Sequence, residues 1–346
     1  MKHQVLVTGG TGYIGSHTVV ELQMEGYDVV IVDNLSNSRS EVLDGINKIT
    51  GIRPAFEQFD LTDRPKTMQF FSDHPTLKAI IHFAAFKAVG ESVQQPLKYY
   101  HNNLASLINL LEGMNSHGVS NFVFSSSCTV YGQPSKLPVT EDAPIQEANC
   151  PYGNTKQISE EIIRDTLTAH PLIRAISLRY FNPIGAHRSA FIGELPIGVP
   201  NNLVPFITQT AIGIRPHLRV FGADYNTPDG SCIRDYINVT DLAKAHVVAI
   251  KRLLGNRNTK SMEIFNLGTG KGSSVFEIIK TFEQTTGLKL NYQVTGRREG
   301  DVEQVWADTS LANNVLGWKA EVPLADTLLS AWEWEKYFRS NFLVIE

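Results

Sequence analysis

A glycine-rich segment, residues 8–15, most constrains what this chain can fold into. It follows the apolar run Val5–Val7 and precedes a helical pattern of apolar residues over 16–25. A strand, a glycine turn and a helix in this order bring backbone N–H groups and a helix N-terminus against a pyrophosphate. The glycines that allow this close approach are Gly9, Gly12 and Gly15. Alone, the spacing also fits an ordinary glycine turn of an α/β protein.

Two carboxylates follow the next apolar runs and fit the same ligand. Asp33 comes after the run 27–32, where a carboxylate accepts the ribose hydroxyls of NAD and disfavours the 2′-phosphate of NADP. Asp60 follows the run 55–59 and could receive the adenine amino group, although a solvated turn residue explains it equally well. We therefore predict NAD as the cofactor.

Apolar runs alternate with helical patterns up to about residue 180. Beyond the first two runs, strands are predicted at 55–59, 79–83, 121–125 and 173–180, and helices at 39–49, 65–73, 152–170 and, in two pieces, 89–118. This alternation predicts an α/β fold with a doubly wound parallel sheet of the Rossmann type, whose ligands lie beyond the C-terminal ends of the strands. Frequent prolines after residue 181 indicate a smaller α+β domain for the substrate. We expect an NAD-binding domain over 1–180 and a substrate domain over 181–346, with 239–270 returning to the sheet.

Composition excludes several other classes of protein. The chain has 346 residues, which suggests about two domains, and a net charge of −4 without a basic stripe, so we expect neither nucleic acid nor a membrane surface as partner. Its 3 cysteines, Cys128, Cys150 and Cys232, lack metal-ligand spacing. We therefore expect a reducing compartment, a cytoplasmic location and no metal site. No apolar run is long enough to span a membrane, and a strand pattern begins almost at once, so we expect neither a membrane span nor a signal peptide.

Tyr152 and Lys156 form the second signal, because four residues on a helix place them one turn apart on one face. A phenol with a pKa of ~10 needs a shift of ~3 units, about 4 kcal/mol, to act as a base near pH 7. One unit charge at 4 Å supplies about 4 kcal/mol at an effective dielectric of ~20, so one lysine ammonium is large enough, and a positive nicotinamide ring would add to it. Ser127, in a run of three serines after the fifth strand, could relay the proton. A surface helix pair and a serine turn explain each motif alone, but behind a dinucleotide loop the catalytic interpretation is favoured.

These motifs, namely 8–15, Ser125–Gly132 and Tyr152-x-x-x-Lys156, resemble the extended short-chain dehydrogenase/reductase family, and within it the 4-epimerases of UDP-sugars. Further matching segments are 17–19, 33–35, 82–84, 87–93, 99–100, 178–187, 198–203, 234–237 and 297–301. The resemblance covers nearly the whole chain. The glycine loop is generic, whereas the later segments are specific to the epimerases.

The resemblance implies a role for each site residue. Tyr152 would be the base, Lys156 would bind the nicotinamide ribose and lower the tyrosine pKa, and Ser127 would assist the proton transfer. The implied NAD ligands are Gly9, Gly12, Tyr13, Ile14, Gly15, Asp33, Asn34, Asn37, Ser38, Asp60, Leu61, Phe83, Ala84, Ala85, Lys87, Asn102, Tyr152, Lys156 and Phe181. The implied UDP-sugar ligands are Ser127, Tyr152, Asn182, Asn202, Leu203, Val220, Phe221, Arg234, Arg298, Asp301 and Val305. Forked arginine donors suit a diphosphate, although either arginine alone also fits a surface ion pair.

The implied reaction is the interconversion of UDP-galactose and UDP-glucose through a 4-keto sugar, with NAD tightly bound and restored in each cycle. The family resemblance also implies a homodimer through helices around 97–118 and 152–170. Val305 stands where some epimerases carry a large tyrosine, so we hypothesise that N-acetylated UDP-sugars are accepted as well. The equally weighted alternative is that neighbouring side chains fill the space that a tyrosine would occupy. Cys128 replaces a usual alanine and is expected to be neutral.

Two kinds of rival function share the glycine loop. A nucleotide-sugar 4,6-dehydratase needs an acid and a base where this chain has Cys128 and Thr129, and a uronate epimerase or decarboxylase relative usually carries a glutamate in this stretch. A non-catalytic NAD-binding module could lose Ser127, Tyr152 or Lys156, yet all three are present. The sequence therefore favours the epimerase.

Overall fold

The computed structural model describes residues 3–298 and 301–342. The first half alternates strands and helices. Its elements are β1 (Gln4–Thr8), α1 (Tyr13–Met24), β2 (Asp28–Asp33), α2 (Val42–Thr50), β3 (Ala55–Gln58), α3 (Arg64–Asp73), β4 (Leu77–His82), α4 (Val89–Gln94), α5 (Pro96–His117), β5 (Asn121–Ser127), a 3₁₀-helix (Cys128–Tyr131), α6 (Pro151–Ala169) and β6 (Arg174–Tyr180).

The elements after β6 are shorter and alternate less regularly. They are β7 (Asn182–Ile184), α7 (Leu203–Ala211), β8 (Leu218–Phe221), β9 (Ile233–Arg234), β10 (Tyr236–Asn238), α8 (Val239–Leu254), β11 (Met262–Leu267), β12 (Ser273–Ser274), α9 (Val275–Thr286), β13 (Tyr292–Thr295), β14 (Gln304–Val305), a π-helix (Ala312–Leu316) and α10 (Leu324–Phe342).

A 7-stranded sheet in the order β11-β6-β5-β4-β1-β2-β3 forms the centre of the molecule. Neighbouring strands are parallel in each pair, from β11 on β6 to β2 on β3. Strand order reverses between β1 and β4, where the glycine loop leaves β1, so a crevice opens at this switch point. The predicted α/β fold with a doubly wound parallel sheet is therefore confirmed.

Helices cover both faces of this sheet, as buried parallel strands require. One core joins apolar residues of α1, α2 and α8, including Val19, Ile46 and Ile250, to the strands, and the other joins α3, α5 and α6, including Phe71, Leu110 and Ile163. The α8 helix begins where the Asn238 side chain accepts hydrogen bonds from the N–H groups of Thr240 and Asp241. With α8 on one face and β11 at one edge, the segment 239–267 lies against the first half of the chain.

A separate apolar core lies outside the main sheet. It contains residues of α7, β8, α9 and α10, which are Val204, Ile207, Leu218, Val220, Ile278, Ile279, Phe282, Leu328 and Ala331 among others. The division into two domains at residue 180 stays a prediction. In the part of the chain that the structure describes, no helix combines the length and apolar character needed to cross a membrane.

Local differences from the predicted elements have physical causes. The helix predicted after residue 38 begins only at Val42, because the hydroxyl of Ser38 donates to Asp33 at 3.2 Å instead of capping a helix. The first helix begins at Tyr13, earlier than predicted, and β5 runs on to Ser127 because its serines continue to pair with β6.

Candidate active site

The glycine loop between β1 and α1 leaves a helix N-terminus open to a ligand. Gly9 has a φ of +67°, and a Cβ at this position would lie 2.8 Å from the backbone nitrogen of Ala84. Gly12 precedes the first turn of α1, which none of the described side chains caps and which carries no acidic residue. The first N–H groups of the helix therefore suit an anionic group. This cradle fits the pyrophosphate of NAD.

Next to the loop, Asp33 is buried at the end of β2 and held by three donors. Its carboxylate accepts hydrogen bonds from the N–H groups of Leu35 at 2.9 Å and Thr11 at 3.3 Å and from the Ser38 hydroxyl at 3.2 Å. The hydroxyls of Thr11 and Ser38 are also 2.7 Å apart. These bonds fix the direction of the carboxylate beside the loop, where the prediction places the ribose.

Asp60 lies close to this cluster, because the Asn34 amide donates to its carboxylate at 2.9 Å. Burial raises the pKa of Asp60, but hydrogen bonds from Thr62 and Asn34 outweigh it and hold the pKa below its ordinary value. Leu61 is buried, and its carbonyl accepts from Asn109 of α5 at 2.8 Å. Asn37 is exposed.

The end of β4 forms the opposite wall of the crevice. The N–H group of Ala84 donates to the Thr8 hydroxyl at 3.3 Å, and the ring of Phe83 lies 4.7 Å from that of His246 on α8. Further along, the Lys87 ammonium lies 3.7 Å from Glu194. The predicted residues Ala85 and Asn102 follow on the same side, where the Asn102 amide donates to Asn103 at 2.9 Å.

The three predicted catalytic residues meet where β5 ends against α6. Lys156, which is buried, donates from Nζ to the carbonyl of Ser125 at 2.6 Å, and its Nζ lies 6.0 Å from the centre of the Tyr152 ring. The Ser127 Oγ accepts the N–H of Thr129 at 3.2 Å. With this acceptor site occupied, the proton of Ser127 points away from Thr129, and a Ser127 hydrogen bond lowers the pKa of the Tyr152 phenol.

The expectation that Lys156 makes Tyr152 acidic is not met by the chain alone. Burial raises the pKa of Tyr152 well above its ordinary value, and the opposing bond from Ser127 does not offset it. Burial also lowers the pKa of Lys156 to about 8. The physical reason is that removing both groups from water disfavours both charges, so one lysine is not sufficient. The positive charge of an oxidised nicotinamide has to contribute.

Across the crevice, two arginines share one carboxylate. Arg298 donates to Asp301 from Nε at 3.1 Å and from Nη2 at 2.6 Å, and Nη2 of Arg234 lies 3.8 Å from the same side chain. The guanidinium of Arg298 stacks 5.6 Å from the ring of Phe221, at the end of β8. Two forked cations beside an aromatic ring suit a nucleoside diphosphate.

A small apolar cluster lies between the arginines and α6. Val305 of β14 packs there with Phe181, Val130 and Val139, and a parallel bridge joins Val139 to Ala307. Val305 is 8% exposed, so its side chain is almost fully buried in this cluster. The neighbouring Cys128 also contacts this cluster.

One residue that sequence reasoning missed connects the two sides. Glu194 accepts a hydrogen bond from the Asn202 amide at 2.6 Å and pairs with Lys87. The Tyr13 hydroxyl adds a second link, donating to the Gly185 carbonyl at 2.6 Å. No local signal marks Glu194, because its charged partner Lys87 comes from a distant segment. The remaining predicted positions are Ile14 in α1, Asn182 in β7 and Leu203 at the start of α7. Val220 of β8, predicted to contact the UDP-sugar, is instead 1% exposed, because it packs in the separate apolar core outside the main sheet.

Tyr180 was also missed, although it directly precedes the predicted Phe181. Its hydroxyl contacts that of Ser125, and burial raises its pKa above the ordinary value. Tyr99 of α5 donates to Glu91 at 2.8 Å and lies near enough to Tyr152 for their charges to interact. Both tyrosines lie within segments that carry the resemblance, 99–100 and 178–187, and could have been expected from them.

The fold and these side chains define a class, the NAD-dependent extended short-chain dehydrogenases/reductases. A profile of the family described as GDP-mannose 4,6-dehydratase matches residues 6–330. The UDP-glucose 4-epimerase 2 of Arabidopsis thaliana is 49% identical over 337 residues, covering 96% of this chain and 95% of the relative.

Solved structures give the same result. The chain is similar to a UDP-glucose 4-epimerase of Stenotrophomonas maltophila with bound NAD and formylated UDP-arabinopyranose, at 47% identity and a TM-score of 0.94, covering 98% and 99% of the two chains. It is also similar to that of Bifidobacterium longum in complex with NAD⁺ and UDP, at 43% identity and a TM-score of 0.93, covering 98% and 100%. This chain belongs to the UDP-glucose 4-epimerase family, and the resemblance seen in its sequence is confirmed.

Proposed function

We propose that the chain interconverts UDP-glucose and UDP-galactose by inverting C4 of the sugar, with NAD bound throughout. The observation that carries this proposal is the meeting of Tyr152, Lys156 and Ser127 between an open helix N-terminus and a pair of arginines. Relatives that match nearly the whole chain carry the same name for their activity.

The roles of the chain's own residues follow from their contacts. Bound NAD⁺ takes a hydride from C4 and returns it to the opposite face of the sugar. The Tyr152 oxygen removes the proton of the 4-hydroxyl, directly or through Ser127, and gives it back in the second half of the reaction. Lys156 holds positive charge beside the phenol, and Arg234 and Arg298 hold the diphosphate while the sugar turns. Tight nucleotide binding with few sugar contacts permits that turn.

We assign the NAD site to the loop and strand ends of the first half. Gly9, Gly12 and Gly15 with the α1 N-terminus would take the pyrophosphate, and Asp33 the ribose. Asp60 beside Asn34 would take the adenine end, and Lys87, Asn102 and Phe181 the rest. We also infer that 1–180 with 239–270 serves NAD and the remaining segments after residue 181 serve the UDP-sugar.

A dehydratase function has one observation in its favour, the description of the matching family profile. Elimination of water from the sugar needs an acid and a base beside the serines. Here Cys128 stands in that place, and burial raises the pKa of its thiol to about 12. Thr129 ionises even less readily, so the epimerase is favoured.

The decisive experiment incubates purified protein with UDP-galactose and no added NAD, and follows UDP-glucose by chromatography. We expect full conversion to the equilibrium mixture, with NAD released only on denaturation. A 4-keto-6-deoxy product would instead establish the dehydratase, and no product with bound NAD would establish a binding module.

We propose that the sugar pocket also accepts N-acetylated UDP-sugars. Val305 is small and buried in its cluster, and the Asn202 amide is turned toward Glu194. Turnover of UDP-N-acetylgalactosamine by the wild type and by Val305→Tyr tests this. We expect the variant to lose this substrate while keeping UDP-galactose, and equal loss of both would contradict the proposal.

We also propose a cytoplasmic homodimer. Apolar side chains of α4 and α5 are exposed, Val93 at 61% and Leu97 at 80%, and Ile108 follows further along α5. Such a row of exposed apolar residues suits a helical interface with a second copy. Light scattering of the wild type and of Leu97→Lys tests the dimer, and cell fractionation tests the location, for which three unpaired cysteines are the supporting observation.

A further inference from the structure

Helix α6 is joined to β5 at two successive strand residues. Lys156 Nζ donates to the Ser125 carbonyl at 2.6 Å, and one helical turn later Glu160 Oε1 accepts the Ser126 hydroxyl at 2.7 Å. Both α6 side chains are almost fully buried, at 4% and 3% exposure. The register between the helix that carries Lys156 and the strand that ends at Ser127 therefore depends on these two bonds.

The Glu160 carboxylate is also bound from β6. Its Oε1 accepts the Ser177 hydroxyl at 2.7 Å and Arg179 Nε at 3.0 Å, and its Oε2 accepts Arg179 Nη2 at 2.5 Å. Burial raises the pKa of Glu160, but the hydrogen bonds and charge of Arg179 outweigh it and hold the pKa below its ordinary value. The carboxylate is thus charged and has its lone pairs occupied, in a fixed position four residues after Lys156.

The groups around Lys156 supply little other negative charge. From β4 it faces His82, whose pKa burial lowers to about 3, so that this imidazole is neutral. From β5 it meets the Phe124 ring at 4.8 Å and the Ser125 carbonyl. The other titratable groups nearby are Tyr152 on its own helix, Arg179 and Tyr180 on β6, and Tyr99 on α5 with its partner Glu91. Burial lowers the pKa of Lys156 to about 8, and the charge of Glu160 opposes this shift.

We propose that Glu160 is a positioning residue for the epimerase reaction: anchored by Ser126 and Arg179, it sets Lys156 beside Tyr152 and keeps it an ammonium ion. The inference rests on the proposed function. Because Glu160 is buried, it would act through Lys156 and Tyr152 and not on the substrate itself. A lysine that lost its proton would no longer stabilise the tyrosinate.

A purely structural ion pair is the alternative, and the chain contains a matched control for it. Glu263 at the start of β11 accepts two hydrogen bonds from Arg252, at 2.6 and 2.8 Å, and is as buried as Glu160. Its further donor is Thr259, and it belongs to the edge strand β11. Breaking either pair leaves a buried arginine without its carboxylate.

The experiment compares Glu160→Gln with Glu263→Gln. We expect both variants to lose stability in urea, but only Glu160→Gln to move the alkaline limb of the kcat profile, by about one pH unit toward lower pH. The sign follows because removing a negative charge lowers the pKa of a neighbouring ammonium. An alkaline limb that stays in place in Glu160→Gln, or that moves equally in Glu263→Gln, would overturn the proposal.

A second readout uses the NAD-free protein and no activity. Competitive acetylation followed by mass spectrometry measures the pKa of Lys156, which should fall in Glu160→Gln and not in Glu263→Gln. Where Glu160→Gln does not fold, Glu160→Gln/Arg179→Met removes both charges, with Glu263→Gln/Arg252→Met as its control, and the same direction is expected. Wild-type protein without epimerase activity would count against the proposed function. An active wild type, together with an unchanged pKa of Lys156 in Glu160→Gln, would count against this inference alone.

Discussion

The two sides of the crevice, each of which we propose binds a diphosphate, are prepared for it in different ways. On the side of β1 and α1 the groups stand ready: the helix N-terminus is open and Asp33 is fixed by three donors. On the other side the cations already have a partner, because Arg234 and Arg298 share Asp301. A preformed site binds without rearrangement, whereas a self-paired one must exchange partners. The contrast fits a cofactor that stays and a substrate that leaves.

The largest expected effect lies between the two sides. Tyr152→Phe removes the proton acceptor and should lower kcat by about 10²–10⁴-fold, the usual value of positioned acid–base catalysis. NAD content and thermal stability should stay as in the wild type, because the phenyl ring keeps its packing. A coupled assay of UDP-glucose formation measures kcat. If the variant inverted C4 at the wild-type rate, Tyr152 would not be the proton acceptor.

Acid should weaken the cofactor side strongly. Burial lowers the pKa of His17 and His82 to about 3 and that of His246 to about 4, all on α1, β4 and α8. Their folded pKa values lie below the unfolded value of ~6.5, so the stability they contribute is complete above that pH and is lost as the pH falls toward these values. Below a pH of ~6.5, each histidine that is protonated only in the unfolded state lowers the free energy of unfolding by about 1.4 kcal/mol per pH unit.

Urea unfolding between pH 7 and pH 5 checks this expectation. His246→Asn is the informative variant, because it should flatten the slope without touching the arginine side. A free energy of unfolding that is constant over this pH range would contradict the role of burial at these three positions.

A smaller effect tests whether the cofactor side is truly preformed. Gly9→Ala places a side chain at a φ of +67° and its Cβ against the backbone of Ala84. The left-handed conformation alone costs about 1–2 kcal/mol, and the close contact adds to it. We expect NAD to be lost from the purified protein, measured by absorbance after denaturation. Gly51→Ala is the matched control, with a φ of +73° but nothing near its Cβ, and it should retain NAD.

The smallest effect is expected at the arginine pair, where Arg234 and Arg298 already share Asp301. Arg298 is 56% exposed on its side chain and already bound to Asp301, so Arg298→Ala should raise KM for UDP-galactose by about tenfold with little change in kcat. Steady-state kinetics measures both constants, and Arg298→Lys separates charge from the forked geometry. A fall in kcat with unchanged KM would show that Arg298 acts on the reacting sugar instead of the nucleotide.

Periodicity and motifs predicted the sheet, its flanking helices and the Tyr152–Lys156 pair, because these depend on local spacing. They failed where the outcome depends on contacts between distant segments. The helix predicted over 39–49 begins only at Val42, and the hydroxyl of the preceding Ser38 is occupied by Asp33. The pKa of Tyr152 was expected to fall, because the argument from the sequence counted the charges of Lys156 and of the nicotinamide ring and left out burial.

Glu160 and Glu194 show the same limit from the other side. Neither stands in a recognisable motif, and each acquires its meaning from partners that the fold brings to it, Arg179 for one and Lys87 with Asn202 for the other. A carboxylate in a helix or a loop usually signals a solvated face. The burial of the two carboxylates themselves, whose side chains are 4% and 12% exposed, distinguishes Glu160 and Glu194 from a solvated carboxylate.

The place of β11 in the sheet has a consequence for synthesis on the ribosome. The strand that borders β6 is Met262–Leu267, which is translated more than eighty residues after its neighbour, Arg174–Tyr180. Until then the edge of β6 is unpaired and α8 has not covered its face. Nascent chains therefore expose an unpaired, aggregation-prone strand edge for several seconds at a translation speed of about 5–20 residues per second. We therefore expect the nascent polypeptide to be prone to aggregation during that interval.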